Sequence, residues 1–348
     1  MRRLAVLAVA LVAGCSLVSP QRPSTPSTTT STAVSATPTK PDPTGSLDFS
    51  AVGDFSATKA AAAVLSAVGD RPDDLMVMLG DLSYGKPGGE PAWCRFVAQR
   101  VPTERPIVLA VGNHESDGSN GEYREFIACL PHDLPGIVGD YGRRWYVDVP
   151  ADDPLVRFVM VSPGIAFPEG IDSYAAGTTE FIWTQEVIDS ARGAGIPWVI
   201  VGMHTPCLSV GQHDCQPGAD LTTMLVDRKV PLVLNGHEHV YQRTSQVAVG
   251  SACPSIVPDT FDSDCVVDTD GQLQASLGTT FVTVGTGGRA LYEVNLDDSE
   301  ARYFDVVEGA NHNGAYGSLR LHLTAAELTA DFEPVLGATF TDHFSITR

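Results

Sequence analysis

The sequence predicts an α/β protein, a four-layer α-β-β-α sandwich in which two mixed sheets are flanked by helices. Three observations lead there. Short apolar runs rich in β-branched residues recur at 47–52, 75–79, 107–111, 158–161, 198–201 and 232–234, and their length and composition suit strands buried on both faces. Helix-like stretches separate them, the alternation of a layered α/β fold. After about residue 240 the helical signals fade, and "TFVTVGTGG", "SLRLHLTAAELTADFEPV" and "TFTDHFSIT" read as strands and turns. They predict a second sheet packed against the first within one domain.

Taken in order, the chain opens with "MRRLAVLAVALVAGCS". Arg2 and Arg3 make a positive start. Residues 4–13 are apolar but too few to span a bilayer comfortably, which is the pattern of a signal peptide over 1–14. The small residues before Cys15 resemble a bacterial lipobox, so Cys15 is the expected lipidation site. Residues 15–45 are dominated by Ser, Thr and Pro. No core can be built from them, and they read as a disordered tether. The domain at 46–348 is therefore expected to be exported. It would be lipid-anchored on the outer face of a bacterial cytoplasmic membrane, or secreted, with the anchor as its membrane contact.

Within that domain "SATKAAAAVLSAVGD" is an Ala-rich helix, with Ser56 as candidate N-cap and Gly69 as stop. "NGEYREFIACL" and "TTEFIWTQEVIDSARGAG" are further helices. Residues 250–278, rich in Asp, Ser and Pro, read as an excursion loop closed by Cys253 and Cys265. Apart from Cys15, the cysteines are Cys94, Cys129, Cys207, Cys215, Cys253 and Cys265, an even set that points to disulfides in an exported protein. Sequence alone does not choose the connectivity. Sequential pairing is expected, and the absence of a CxxC pair argues against a zinc site built from these cysteines.

The formal net charge is −20. With no Lys/Arg-rich segment, the chain lacks the contacts that hold a nucleic-acid partner. An acidic surface also repels anions at long range, so an anionic substrate needs strong local positive charge.

The apolar runs share one feature. "LDFSAVGDF" ends in Asp54. "MVMLGDLSY" ends in Asp81 and Tyr84. "IVLAVGNHE" ends in Asn113, His114 and Glu115. "WVIVGMH" ends in His204, and "LVLNGHEH" in His237 and His239. Five runs each deliver oxygen or nitrogen donors at the carboxyl end, the edge where α/β sheets bind ligands. Carboxylates beside imidazoles are what transition metals select. The donors are too many for one ion, so two metals sharing a carboxylate is the economical arrangement. Gly53, Gly80, Gly112 and Gly236 each directly precede a polar group, where glycine permits a sharp turn and close backbone approach.

The ordered set "GD", "GDLSY", "GNHE", "VGMH" and "GHEH" resembles the calcineurin-like metallophosphoesterases and, within them, the purple acid phosphatases. The resemblance covers roughly residues 46–345. The wider superfamily has a ligating His two residues after the first Asp. That position is Ser56 here, and the purple acid phosphatases likewise lack this His and use a Tyr, here Tyr84. That branch usually has Gly at the Ser56 position, and an N-cap role would explain the Ser.

The resemblance implies a metallophosphoesterase fold and a first metal on Asp54, Asp81, Tyr84 and His239. It implies a second on Asp81, Asn113, His204 and His237, with Asp81 bridging. The phenolate donor implies Fe(III) at the first site, and Fe(II), Zn(II) or Mn(II) stands at the second. The implied reaction is in-line attack of a metal-bound hydroxide on a small phosphate monoester. His114 is the first candidate for supplying a proton to the leaving group and His213 the second, with Glu115 orienting His114. His312 reads as structural. A phosphodiesterase or nucleotidase could use the same core, and a non-catalytic binding protein is the reading from a different class.

Overall fold

The computed structural model describes residues 45–348. The signal segment 1–14, Cys15 and the tether up to residue 44 lie outside the described residues. In chain order the strands of the two main sheets are β1 (Ser46–Val52), β2 (Leu75–Met78), β3 (Ile107–Leu109), β4 (Val138–Asp140), β5 (Arg144–Val149), β6 (Val156–Val161), β7 (Trp198–Met203), β8 (Leu232–Asn235), β9 (Tyr241–Thr244), β10 (Gln272–Gln274), β11 (Thr280–Val284), β12 (Phe304–Glu308), β13 (Gly317–Thr324), β14 (Glu327–Pro334) and β15 (His343–Thr347). The helices are α1 (Lys59–Gly69), α2 (Glu90–Ala98), α3 (Asn113–Ser116), α4 (Tyr123–Cys129), α5 (Thr179–Gly193) and α6 (Ala219–Asp227).

One sheet has seven strands in the order β10-β15-β14-β13-β1-β2-β3, and the other has eight in the order β12-β9-β11-β8-β7-β6-β5-β4. Both are mixed. β1, β2 and β3 run parallel while β13 joins β1 antiparallel. β6, β7, β8 and β11 run parallel while β9 joins β11 antiparallel. This is the predicted α-β-β-α sandwich, but the division of the chain differs from expectation. The carboxyl-terminal strands do not build a second sheet of their own. β13, β14 and β15 extend the first sheet, while β4 to β8 already belong to the second. An antiparallel meander adds to whichever sheet offers a free edge, and the free edge was beside β1. The expected 250–278 excursion also ends early, because β10 returns to pair with β15.

Alternation places the core. On β6 and β7, Phe158, Met160 and Ile200 face the first sheet, and Phe158 meets Phe49 edge-on at 5.4 Å between ring centres. Val159, Val161, Val199 and Val201 face the other way, onto Ile188 of α5 and Leu221 and Leu225 of α6. Ala61, Val64, Leu65 and Val68 of α1 cover the outer face of the first sheet. Strands buried on both faces explain why the sequence shows continuous apolar runs instead of alternation.

α1 begins later than predicted. Its N-cap is Thr58, whose hydroxyl accepts from the Ala61 N–H at 3.0 Å, not Ser56. The helix ends on Gly69, where a Cβ would lie 1.8 Å from the Arg100 carbonyl oxygen. Disulfides join Cys94 to Cys129, Cys207 to Cys215 and Cys253 to Cys265.

Two buried carboxyls outside the strand-end cluster couple the fold to pH. Glu308 accepts from the Tyr241 and Ala315 N–H groups, and Glu300 from those of Ser209 and Asp259. Burial pushes both up to about 7. Each ordinarily titrates near 4.5, so the folded state holds protons that the unfolded chain releases between these values. Their contribution is complete below the lower value and is lost as pH rises through the upper one. Replacing Glu308 with Gln should flatten the dependence of unfolding free energy on pH between about pH 5 and pH 7, by up to about 1.4 kcal/mol per pH unit. Calorimetric unfolding across that window checks this, and an unchanged slope would contradict it.

Candidate metal centre

Five strand ends converge between the two sheets. β1, β2 and β3 of the first sheet lead into Asp54, Asp81 and Asn113. β7 and β8 of the second lead into His204 and the pair His237 and His239. Donor atoms of Asp81, His204 and His237 lie within 4.8 Å of one another, as do those of Asp54, Asp81 and His239. Tyr84 Oη lies 3.1 Å from Asp54 Oδ1 and 2.8 Å from His239 Nε2. Asn113 Oδ1 lies 3.1 Å from His204 Nε2. The seven predicted donors thus form one cluster with Asp81 common to its two halves. A third group, Cys253, Asp262 and Cys265, offers no free thiolate because its cysteines are bonded to each other.

The backbone is bent to aim these groups. Asp54, Asp81, Tyr84 and His237 have φ of 63°, 54°, 50° and 68°, the left-handed region that costs a non-glycine residue about 1–2 kcal/mol. Such strain clusters where a site over-determines it. Two glycines admit the close approach. A Cβ on Gly112 would stand 2.1 Å from Asp81 Oδ1, and one on Gly236 would stand 2.5 Å from the Leu79 carbonyl oxygen.

Electrostatics fit a cation. Asp54 and Asp81 are buried, and among the described residues their ion-pair partners are histidines alone. Burial, then the Asp81 charge, pushes the Asp54 carboxyl well above its ordinary value. The Tyr84 phenol is driven up by burial and by the same two carboxylates. Burial lowers His204, takes His237 far down, and takes His239 to about 4. Neutral imidazole is the ligating form. Nδ1 of His204 donates to the Leu79 carbonyl and Nδ1 of His239 to that of Ala290, at 2.7 and 2.9 Å. Each therefore presents a bare Nε2 to the cluster. A bound cation would relieve every one of these penalties at once.

The two further histidines flank the cluster, and each side chain is 35% exposed while the ligand-type histidines are buried. His114 Nε2 lies 3.7 Å from Asp81 Oδ2. Glu115 does not orient it, contrary to expectation. Its carboxylate turns inward and accepts from the Asp81, Leu82 and Gly112 N–H groups. Burial and the Asp81 charge push it to about 8. Asn120 holds His114 instead. Its Nδ2 donates to the Gly85 carbonyl at 2.8 Å, which leaves Oδ1 to accept from His114 Nδ1 at 2.5 Å. His213 packs on the His237 ring at 4.1 Å between centres, and its Nδ1 donates to Glu238 Oε1 at 2.9 Å. The fully buried Glu238 also accepts from the Gln212 and His213 N–H groups. Its hydrogen bond is the main reason the His213 pKa is raised.

Sequence reasoning missed Asn120, Glu238, Gln216, Tyr292 and Arg289. Gln216 meets His237 Nε2 at 3.0 Å, and Tyr292 stacks on His239 at 3.9 Å. The Glu of "GHEH" was visible as an acid between two ligand-type histidines. The others sit on loops without periodicity. His312 lies apart from the cluster, its N–H bonded to the Gly309 carbonyl.

Residues 51–241 match the calcineurin-like phosphoesterase family. The chain is 24% identical over 224 residues to purple acid phosphatase 22 of Arabidopsis thaliana, covering 62% of this chain and 49% of that protein. It is 27% identical over 230 residues to the Fe(3+)-Zn(2+) purple acid phosphatase 12 of the same plant, covering 61% and 46%. The chain spans about half the length of the curated relatives it matches. Its fold superposes on a purple acid phosphatase from yellow lupin seeds with a TM-score of 0.61 at 18% identity, covering 89% of this chain and 55% of that one.

Ser56 also has a left-handed backbone, with φ of 66°. That conformation accounts for a glycine preference at this position better than a capping role does. Ser56→Gly should raise the unfolding free energy by about 0.5–1 kcal/mol. Denaturant titration checks this, and a destabilised Gly variant would show that the Ser side chain matters more than the backbone.

Proposed function

The chain belongs to the calcineurin-like phosphoesterase family, and we propose that it hydrolyses small phosphate monoesters at a two-metal centre in the manner of an acid phosphatase. One observation carries the choice of branch. Tyr84 Oη sits between Asp54 and His239, inside the donor cluster and not beside it. Asp54, Asp81, Tyr84 and His239 would hold one ion, and Asp81, Asn113, His204 and His237 the other. A phenolate is a hard anionic donor that favours Fe(III), with Fe, Zn or Mn in divalent form beside it. The ions supply Lewis acidity and an acidified water for in-line attack at phosphorus.

The remaining work falls to the chain. Glu115 ties the Asp81 and Gly112 turns together, fixing the distance between the two halves of the cluster. Asn120 engages Nδ1 of His114, which leaves Nε2 as the nitrogen placed to serve the leaving oxygen. His213, anchored by Glu238, turns its free edge toward the phosphoryl oxygens. The disulfides agree with export. The proposed arrangement is a catalytic unit over 46–348, behind a signal segment at 1–14 and a tether at 15–45 lipidated at Cys15.

Metal-loaded protein should hydrolyse p-nitrophenyl phosphate faster than its bis-ester, and Asp81→Ala should lose on the order of a thousandfold or more. Full activity in that variant would end the metal reading, and a preference for the bis-ester would shift it to a phosphodiesterase. The loaded protein should also be pink or purple from Tyr84 donation to Fe(III). Tyr84→Phe should lose the visible band, and a colourless, fully loaded wild type would contradict the iron assignment. Activity should peak at mildly acidic pH, and a steady rise to about pH 9 would favour two divalent ions.

A further inference from the structure

Arg289 is the unexplained charge at the site. Its guanidinium carbon lies 4.5 Å from the centre of the Tyr84 ring. The residue is exposed. Among the described residues its guanidinium has neither an ion pair nor a hydrogen bond, although the protein carries a net charge of −20. Most other arginines close to a carboxylate have taken it, as Arg143 has Asp172 and Arg157 has Asp148.

The backbone carrying it is pinned to the metal cluster on both sides. The Arg289 N–H donates to the Asp54 carbonyl at 2.9 Å, and the Gly287 N–H donates to that of Gly53 at 2.9 Å. Thr58 Oγ1 donates to the Gly288 carbonyl at 2.8 Å. Gly288 has φ of 144°, and a Cβ there would meet Ala61 at 2.5 Å. His239 Nδ1 donates to the Ala290 carbonyl, and the Tyr292 N–H to the His239 carbonyl. The segment 287–292 is thus stitched to the Asp54 turn at one end and to the His239 turn at the other. This fixes where the Arg289 side chain leaves the backbone, and its guanidinium lies over the ring of a donor side chain.

We propose that Arg289 is a specificity-determining residue that grips a second oxyanion of the substrate. The favoured substrates are then phosphate esters or anhydrides whose leaving group carries a carboxylate or phosphate close to the scissile bond. The proposal rests on the hydrolase reading above. A planar guanidinium with parallel N–H donors matches a carboxylate or phosphate in a bidentate way that no lysine can copy. The guanidinium lies over the phenol ring, and its N–H groups have no hydrogen-bond partner among the described residues. The site needs such a group, because a doubly anionic substrate meets more long-range repulsion from this protein than a simple monoester does.

The test uses full-length, metal-loaded protein and three substrates. p-Nitrophenyl phosphate has no second anion, phosphoenolpyruvate has a carboxylate, and inorganic pyrophosphate has a phosphate. In Arg289→Ala the ratio of kcat/KM for phosphoenolpyruvate or pyrophosphate to that for p-nitrophenyl phosphate should fall at least tenfold, mostly through KM. Arg289→Lys should recover part of the loss. A loss for one second anion alone would identify which oxyanion the residue serves. A ratio that stays within twofold of wild type would overturn the proposal, as would an equal loss on all three substrates. Calorimetric titration with methylenebisphosphonate and phenylphosphonate reads the same preference without turnover, and the bisphosphonate advantage should collapse in Arg289→Ala. A wild type that hydrolyses none of the three overturns the hydrolase reading, and calorimetry then still decides the role of Arg289.

Discussion

Asp54 and Asp81 are buried side by side without a lysine or arginine partner among the described residues, and the rest of the structure follows from keeping them there. Two carboxylates in a low-dielectric pocket repel each other, and each loses its hydration. Their environment pushes Asp54 toward the neutral form, drives Tyr84 up and lets the three ligand-type histidines give up their protons. A cation held among these donors would offset each of these shifts. Glu115 adds a third buried acid, and it does so at a point where three backbone N–H groups converge on it. Those three N–H groups oppose the burial that pushes it up, and the side chain serves as the clasp between two turns.

The sandwich supplies the stiffness that this arrangement requires. Residues in left-handed conformations relax unless the chain on both sides is fixed. Here each strained residue follows a strand buried on both faces, and strands of the two sheets interlock through contacts such as Phe49 on Phe158. The local cost at Asp54, Asp81, Tyr84 and His237 is small beside the apolar burial of β1, β2, β7 and β8. Because each half-site draws donors from the carboxyl edges of both sheets, packing between the sheets sets how closely the donors within each half-site approach. Core substitutions far from any donor can therefore alter the cluster's geometry.

The sequence exposed the donors because a strand dictates its own end. A continuous apolar run, then a glycine, then Asp, Asn or His is a local pattern that marks Asp54, Asp81, Asn113 and His237, and the structure gathers these four with Tyr84, His204 and His239. The sheet order was hidden because β1 pairs with β13 across more than half the chain, a choice made by free edges and not by either strand. Ser56 and Thr58 both suit an N-cap by composition. What separates them is the backbone turn at Ser56, and that depends on the Leu82 carbonyl which its N–H meets. Glu115 looked like a partner for His114 because it is adjacent in sequence. Successive residues of a short helix point in different directions, so Asn120, six residues from His114, takes the role instead.

Charge explains why the loop residues matter as much as the donors. The fully buried Glu238 fixes the direction of the partly exposed His213 through Nδ1. Arg289 is different, since no carboxylate neutralises it and its position is fixed by the same turns that carry Asp54 and His239. In a chain of net charge −20, a binding site for phosphate must be a steep local reversal of sign, because the screened field of the surface extends about one Debye length. Ions held by the donor set would make that reversal. Arg289 extends it in one direction along the lip of the cluster. On the proposed reading an extended substrate would be oriented on approach, since only one of its two ends would find a guanidinium while the other finds the donor cluster.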